Sequence, residues 1–454
     1  MTRTYVVDTL KKVGQKVTIA GRIQTIRDHG KLTFVDISDE TAVVQTVTRR
    51  QINVSPQDVV RVEGTVKKRP DNLVNKNITT GEIEIEIENL KVISKSKTPK
   101  IPTEGDGYDI EEENRLKYRY LDLRRQRMQK NLRLRHKILT MVRDFLNSKN
   151  FVEIETPYLS KTTPEGARDF IVPSRLNPGK FYALAQAPQQ YKQLLMLSNF
   201  EKYYQIARAF RDEDMRADRQ FEHTQIDIEM AYVSREDITS LIEELMLILA
   251  QKLKLKIVKK PFPVFTYGEA IKQFGNDKFD LRNEKEKKEK EFAFAWVVDF
   301  PLFEFDEKQN RYTFSHNPFT APKEKDLKDL KNRKNLGKIS SYQYDLVLNG
   351  EELGSGSIRI TDPNLQREIF KIMGFDNKKI ERDFGHLLSA YEFGAPPHGG
   401  IAIGLDRLCA VLAEEKSIRE VIAFPTSGSG QTAVMEAPAK IDSDILRELK
   451  IKTQ

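Results

Sequence analysis

The sequence predicts an α+β protein in two unequal parts, a small closed barrel of β-strands followed by a much larger part of mixed strands and helices. Three observations carry this reading. Five short β-rich bursts crowd the first hundred residues, a Lys/Pro/Gly stretch then breaks all periodicity, and the remaining residues interleave strand-like and helical patterns. The bursts are KVTIAGRIQTI (16–26), KLTFVDIS (31–38), AVVQTV (42–47), DVVRVEGTVKK (58–68) and GEIEIEIENLKVIS (81–94). Turn-rich pieces such as DHGK and RPDN separate them. Five such strands suit an OB-fold, a barrel that commonly holds single-stranded nucleic acid, although an SH3-like barrel has the same periodicity.

The break KSKTPKIPTEGDGYD (95–109) reads as a linker, so the expected organisation is a barrel over 1–98, a linker or hinge over 99–130 and a large domain over 131–454. Within it, residues 115–137 carry ten Lys/Arg against one acid, Asp122. A helix with solvated charges and a basic surface facing a phosphate backbone both fit. Helical spacing continues through Ile138, Met141, Val142, Phe145 and Leu146. Beyond 151 there is neither the regular βαβ alternation nor a GxGxxG or GxxxxGK[ST] loop, so a bound nucleotide must be held in another way. Residues 281–292, LRNEKEKKEKEF, have too little apolar content to pack and read as a solvated connector.

Composition narrows the class. The chain has 454 residues, 39% hydrophobic and 31% charged, enough to bury a sizeable core. A net charge of +8 permits a polyanionic partner. One cysteine, Cys409, excludes a disulfide framework and multi-cysteine metal sites, and six scattered histidines show no metal-ligand spacing. MTRTYVVDTL lacks the apolar core of a signal peptide and no apolar run approaches ~18 residues, which predicts a cytoplasmic protein without membrane contact.

Polar groups that a core does not need gather in a few segments. A Gly-bearing loop after FVEIETPYL carries Glu165, and Gln189 and Lys192 stand three apart on one predicted helical face. FRDEDMRADRQFEHTQIDIEM (210–230) packs Arg211, Glu213, Arg216, Arg219, Gln220, Gln225 and Asp227. GEELGSGSIRI (350–360) and HGGIAIGLDRL (398–408) place Arg359 and Arg407 among glycines that let a ligand approach the backbone. Arginine forks suit phosphate oxygens, and carboxylates such as Asp345 and Glu352 suit a hard divalent cation. A nucleoside triphosphate with Mg2+ and a structural salt-bridge network both remain open on these residues alone.

The motifs also carry a resemblance. FRDEDMRADRQFEHTQID looks like motif 2 of the class II aminoacyl-tRNA synthetases, GIAIGLDRL like motif 3, and FVEIETPYL, with Pro157, like motif 1. TPEGARDF (163–170), QAPQQYKQLLM (186–196), RADRQ (216–220), TQID (224–227), HNPFTAP (316–322), IAFP (422–425) and EAPA (436–439) resemble the aspartyl-tRNA synthetases of the bacterial kind along the whole chain. The resemblance implies a catalytic domain of antiparallel sheet flanked by helices, a homodimer, and ATP-dependent ligation of L-aspartate to tRNA-Asp through an aspartyl-adenylate. Arg211, Asp212, Glu213, Gln220, His223, Glu352, Gly404, Leu405, Asp406 and Arg407 would serve ATP. Glu165, Gln189, Lys192, Arg211, Asp227, His316 and Arg359 would serve aspartate. Asp345 and Glu352 would ligate Mg2+, and Arg211, Arg407 and Glu352 would carry the chemistry. In the barrel, Arg27, His29, Phe34 and Gln45 would meet the anticodon, although the alternation of KLTFVDI also allows Phe34 as barrel core.

Three departures from the bacterial pattern stand out. The large domain usually inserted between motifs 2 and 3 is replaced by 281–292. His223 occupies the place of an adenine-stacking phenylalanine, and Asn317 that of a second histidine. His29, after Arg27-Asp28, resembles relatives that also charge tRNA-Asn, whose product would pass to an amidotransferase; a strict tRNA-Asp enzyme is the alternative.

Overall fold

The computed structural model describes residues 2–452, which divide into two compact units between Ile110 and Glu111. In the first unit, β1 (Lys16–Asp28), β2 (Thr33–Ser38), β3 (Val43–Thr48), β4 (Val59–Lys68) and β5 (Ile83–Ser94) close in the order β1-β2-β3-β5-β4. All pairings are antiparallel except β3 with β5. Period-two alternation sends Val17, Ile19, Val35, Ile37, Val60, Val62, Ile83 and Ile85 inward to a common core.

The second unit begins with α1 (Glu112–Lys117), α2 (Arg119–Asp122) and α3 (Gln126–Ser148). The linker expected over 99–130 is therefore helical from Glu112 onward. The short strands β6 (Val152–Glu153), β7 (Leu159–Ser160), β8 (Ile171–Pro173) and β9 (Phe181–Leu184) follow, then α4 (Gln189–Leu197). Next come the hairpin β10 (Lys202–Phe210) and β11 (Glu222–Ala231), and α5 (Arg235–Leu253). β12 (Val264–Thr266), α6 (Tyr267–Phe274), α7 (Glu284–Lys288), β13 (Phe294–Val298), β14 (Phe303–Asp306), β15 (Arg311–Phe314) and α8 (Leu327–Lys331) lead to β16 (Gln343–Leu348) and β17 (Glu351–Ile358). α9 (Pro363–Ile372), α10 (Asn377–Tyr391), β18 (His398–Gly404), α11 (Leu405–Ala413) and α12 (Ser443–Glu448) complete the chain.

The central sheet has eight strands in the order β12-β13-β16-β17-β18-β11-β10-β6, antiparallel except at its two edges. Ile138, Met141, Val142, Phe145 and Leu146 of α3, the stripe expected from helical spacing, are buried in the core beneath it together with α5 and α11. A second apolar cluster centres on α9 and α10. α7 lies within the charged connector, where Asn283 and Glu286 form a capping box over a five-residue helix with no buried side chain. No helix among the described residues is long and apolar enough to cross a membrane.

The basic stretch at 115–137 divides: Lys117, Lys130, Arg133 and Lys137 are exposed, as a helix with solvated charges requires, while others turn inward. Arg115, Arg119 and Arg125 are buried, and Asp122 accepts from Arg119 at 2.7 Å and from Arg125 at 2.8 Å. Glu420, three hundred residues away, accepts from Arg115 at 2.7 Å and Arg127 at 2.8 Å. Arg119 also donates to the backbone carbonyls of Arg419, Ile422 and Ala423. Burial opposes the charge of Glu420, but the arginines outweigh it and hold its carboxyl at about 2. The cluster fastens the start of the second unit to the segment following α11.

Candidate active site

The sheet positions the site. β11 runs beside β18, and β18 beside β17, so residues of one parity on all three strands face a single cavity of about 760 Å3. Gln225 and Asp227 line it from β11, Ser355 from β17 and Ala402 from β18. α4 adds Gln189 and Lys192 on one face, as their spacing predicted. The strand β10 hands over to Arg211 and the 212–221 loop, and Arg407 projects from the first turn of α11.

At one end lies a buried cluster of ions. Lys192 Nζ donates to Asp227 at 2.7 Å and to Glu229 at 3.2 Å. Arg359 donates through Nε (2.9 Å) and Nη2 (3.1 Å) to the two oxygens of Glu229, and through Nη1 to Ser357 at 2.7 Å. Burial pushes the Asp227 carboxyl up from its ordinary value against the pull of Lys192. Burial acts likewise on Glu229, but Arg359 and Lys192 together hold it down at about 2. The room for Glu229 comes from Gly400, where a Cβ would stand 2.1 Å from its Oε2. Sequence reasoning missed Glu229. The signal was present, since Gln225, Asp227 and Glu229 follow period two along β11.

The other end is rich in arginine. Arg211 Nε lies 3.4 Å from the Gln186 carbonyl, and Arg219 donates to Glu213 at 3.4 Å. Arg407 donates to the Glu352 backbone carbonyl and, at 3.2 Å, to Asp218. The Glu352 carboxylate pairs with Lys278 at 2.8 Å. Burial opposes the charge of Glu352, yet Lys278, Arg407 and His316 hold its carboxyl below the usual range. Burial, then Arg211, Arg208 and Arg407, drive His223 down to about 3, so its ring is neutral near pH 7. Gln220 is pinned between the Arg219 carbonyl and the Thr426 amide. Glu165 accepts from Gln190 at 3.0 Å, and burial raises its carboxyl above the ordinary value.

Of the pocket residues expected from the sequence, Glu165, Gln189, Lys192, Arg211, Glu213, Gln220, His223, Asp227, His316, Glu352, Arg359, Gly404, Asp406 and Arg407 line this cavity. Three do not. Asp212 turns to the exposed Arg168, and Leu405 is fully buried in the core beneath the sheet. Asp345 is buried behind the wall: Gln343 (2.9 Å) and Ser355 (2.8 Å) donate to one oxygen, and His316 Nε2 lies 3.3 Å from the other. Asp406 has a structural duty as well, accepting from the Thr224 amide at 2.8 Å and from Arg135. Asn317 lines the cavity while its side-chain oxygen accepts from the Phe319 amide at 3.0 Å. No group of three or more His, Cys, Asp or Glu among the described residues is arranged to hold a metal ion.

On the barrel, Arg27, His29, Phe34 and Gln45 meet across β1, β2 and β3. Arg27 is bidentate to Asp36 at 2.6 and 2.9 Å and reaches Gln45 at 3.3 Å; Gln45 in turn donates to Glu84 at 2.9 Å. Phe34 alternates with inward-facing Val35 and Ile37, so it stands on the outer face and not in the core. His29 packs edge-on against its ring, with centroids 5.7 Å apart.

Comparison with known proteins decides the family. Residues 111–428 match the family described as tRNA synthetases class II (D, K and N), and residues 17–93 match the OB-fold nucleic acid binding domain. The chain belongs to the class II tRNA synthetases. The synthetase is 39% identical to the aspartate–tRNA(Asp/Asn) ligase of Thermoanaerobacter sp. (strain X514), over 98% of this chain and 97% of that protein. It is 38% identical to the ligase of the same name from Dictyoglomus turgidum, over 100% and 98%. The first alignment occupies 575 positions against 454 residues, so at least 121 of them are filled by the relative alone. Among solved structures, an aspartyl-tRNA synthetase from Entamoeba histolytica superposes with a TM-score of 0.72 at 22% identity, covering 93% of this chain and 91% of that one. The asparaginyl-tRNA synthetase of Pyrococcus horikoshii with asparaginyl-adenylate gives 0.73 at 21%, covering 97% and 99%. These two share the fold.

Proposed function

We propose that this synthetase activates L-aspartate with ATP and transfers it to tRNA-Asp and also to tRNA-Asn. The observation that carries the amino-acid choice is the Lys192–Arg359 pair. Both cations line the cavity, while Glu229 holds them from behind, outside its wall. The pair is thus already balanced by Asp227 and Glu229, in contrast to a pocket of uncompensated positive charge. A substrate carboxylate would take the donors that point into the cavity, whereas the NH2 of asparagine would meet N–H groups and leave them unpaired. The names of the relatives, aspartate–tRNA(Asp/Asn) ligases, support the same choice of substrates.

ATP would lie with adenine against neutral His223, its amino group donating to Glu213, and its phosphates toward Arg211 and Arg407. Glu165 and Gln189 would hold the substrate ammonium, and His316 would cover the aspartate. The substrate α-carboxylate attacks the α-phosphorus, and pyrophosphate leaves. Arg211 stabilises charge on the α-phosphate, so the step depends on positioning and neutralisation more than on a protein nucleophile. The terminal adenosine hydroxyl of tRNA then attacks the mixed anhydride and AMP departs. Mg2+ fits this cavity with Glu352 as one ligand, the others coming from phosphate oxygens and water, as is usual for that ion. Such an ion would screen the charge of the phosphates. Asp345, held by Gln343, would orient His316 and Ser355.

The barrel would read the anticodon by stacking a base on Phe34 beside His29, with Arg27 and Gln45 held in polar register by Asp36 and Glu84. Aspartate placed on tRNA-Asn needs conversion to an amide downstream, the chemistry of an amidotransferase. The exposed apolar side chains Tyr158, Leu159, Ile171, Phe181 and Tyr182 support a homodimer. A ligase of this kind works where proteins are made, in the cytoplasm.

Acylation of purified tRNA-Asp and tRNA-Asn, side by side, tests the proposal. Aspartate should be attached to both, and asparagine to neither. Charging of tRNA-Asp alone would reduce the enzyme to the strict form, and no aspartate-dependent ATP–pyrophosphate exchange would remove the reading altogether.

A further inference from the structure

Lys278 belongs to none of the sequence motifs, yet it lines the cavity with its ammonium 2.8 Å from Oε2 of Glu352. Its place is fixed locally. The Asn276 side chain accepts from the Lys278 amide at 3.0 Å, and the neighbouring Phe279 is buried against Phe265 and Phe274. These contacts anchor the backbone, while the lysine side chain, 41% exposed, has a flexible stem with solvent beside it. Arg407 lines the same cavity and donates to the Glu352 backbone carbonyl, so Lys278, Arg407 and Glu352 share one end of it.

From this geometry we infer that Lys278 is a triphosphate-binding residue that shares the Glu352 carboxylate with the divalent ion. The inference rests on the ATP reading above. A divalent ion bound to a carboxylate oxygen sits ~2.0–2.1 Å from it. An ammonium at hydrogen-bond distance from that same oxygen would then face a doubly charged cation a few ångströms away. One of the two must leave, and the mobile one is the lysine. The anionic groups then within its reach are the β- and γ-phosphate oxygens beside Arg407, where an ammonium serves well as a point charge. Glu352 thus holds Lys278 beside the phosphate position and yields it as the metal arrives.

The test uses the full-length protein with ATP and with Mn2+ alone as probes, read by calorimetry and by electron paramagnetic resonance. In Lys278→Met, ATP at saturating Mg2+ should bind about tenfold more weakly, the worth of one charge-assisted contact. Mn2+ added without nucleotide should bind several-fold more tightly, because its competitor for Glu352 is gone. Lys278→Arg should keep ATP affinity within about threefold of the parent. An ATP affinity within about twofold of the parent in Lys278→Met, or Mn2+ binding that does not tighten, overturns the inference. Equal weakening of aspartate binding would mark general damage to the cavity and overturn it as well. A parent protein that binds ATP but shows no exchange with aspartate sinks the proposed activity and leaves this inference standing.

Discussion

Two regions of the second unit gather the same side chains and use them in opposite ways. In the 115–131 cluster, Arg115, Arg119 and Arg125 spend their donors on Asp122, Glu420 and backbone carbonyls, all buried. In the cavity, Arg407 pairs with Asp218 and Lys278 with Glu352, and these groups line the wall with Arg211 where a ligand can reach them. A guanidinium held by fixed, buried oxygens is a rivet. One with donors pointing into a wet cavity is a binding group. The difference lies in the partners and not in the residue type, and substitutions should separate the two regions cleanly.

The largest contrast is expected between Arg211→Ala and Arg119→Met. The first should lower ATP–pyrophosphate exchange by about 100- to 1000-fold, as for loss of a donor to developing charge, with the melting temperature unchanged. The second leaves Asp122 and three carbonyls short of a buried partner, and should cost about 3–5 kcal/mol in denaturant unfolding. The exchange rate per folded molecule should stay near normal. Loss of exchange at full stability in Arg119→Met would erase the distinction.

A smaller effect follows from pH. Glu420 titrates at about 2 in the folded protein, below its ordinary 4.5, so its contribution is complete above pH 4.5 and is lost as the pH falls through about 2. His223 titrates at about 3 against an ordinary 6.5, so the folded state resists its protonation and loses stability as the pH falls from 6.5 toward 3. Glu420→Gln should flatten the lower window and His223→Asn the upper one in acid unfolding curves. A single common window for both variants would show that the two regions unfold as one electrostatic system. The smallest effect belongs outside both regions. Lys287→Ala in the connector removes an exposed pair with Glu284 and should change stability by under about 0.5 kcal/mol.

Much of this was legible in the residues. The five strands of the barrel appear within a few residues of their observed ends because alternation and turn chemistry are local signals. The cavity residues were legible where a motif carried them, as with Lys192, Arg211, Arg359 and Arg407. What stayed hidden was long-range. Nothing near Arg115 announces Glu420, so its stretch read as surface. Lys278 meets Glu352 only through the fold. Asp345 has the right chemistry for a metal, and only the fold shows that Gln343, Ser355 and His316 gather around its carboxylate.

The short helix α7 has a wider meaning. Its capping box closes it on itself, while Arg282 grips Asp280 just before it and Phe292 returns to the core just after. The excursion begins and ends on firm anchors, and its contents add only partly exposed ion pairs, such as Lys256 with Glu289 and Lys290 with Glu414. Lengthening such a loop costs little chain entropy, since each doubling adds only ~0.6 kcal/mol. A whole module could be spliced in or trimmed out at this junction during evolution without disturbing the scaffold that does the chemistry.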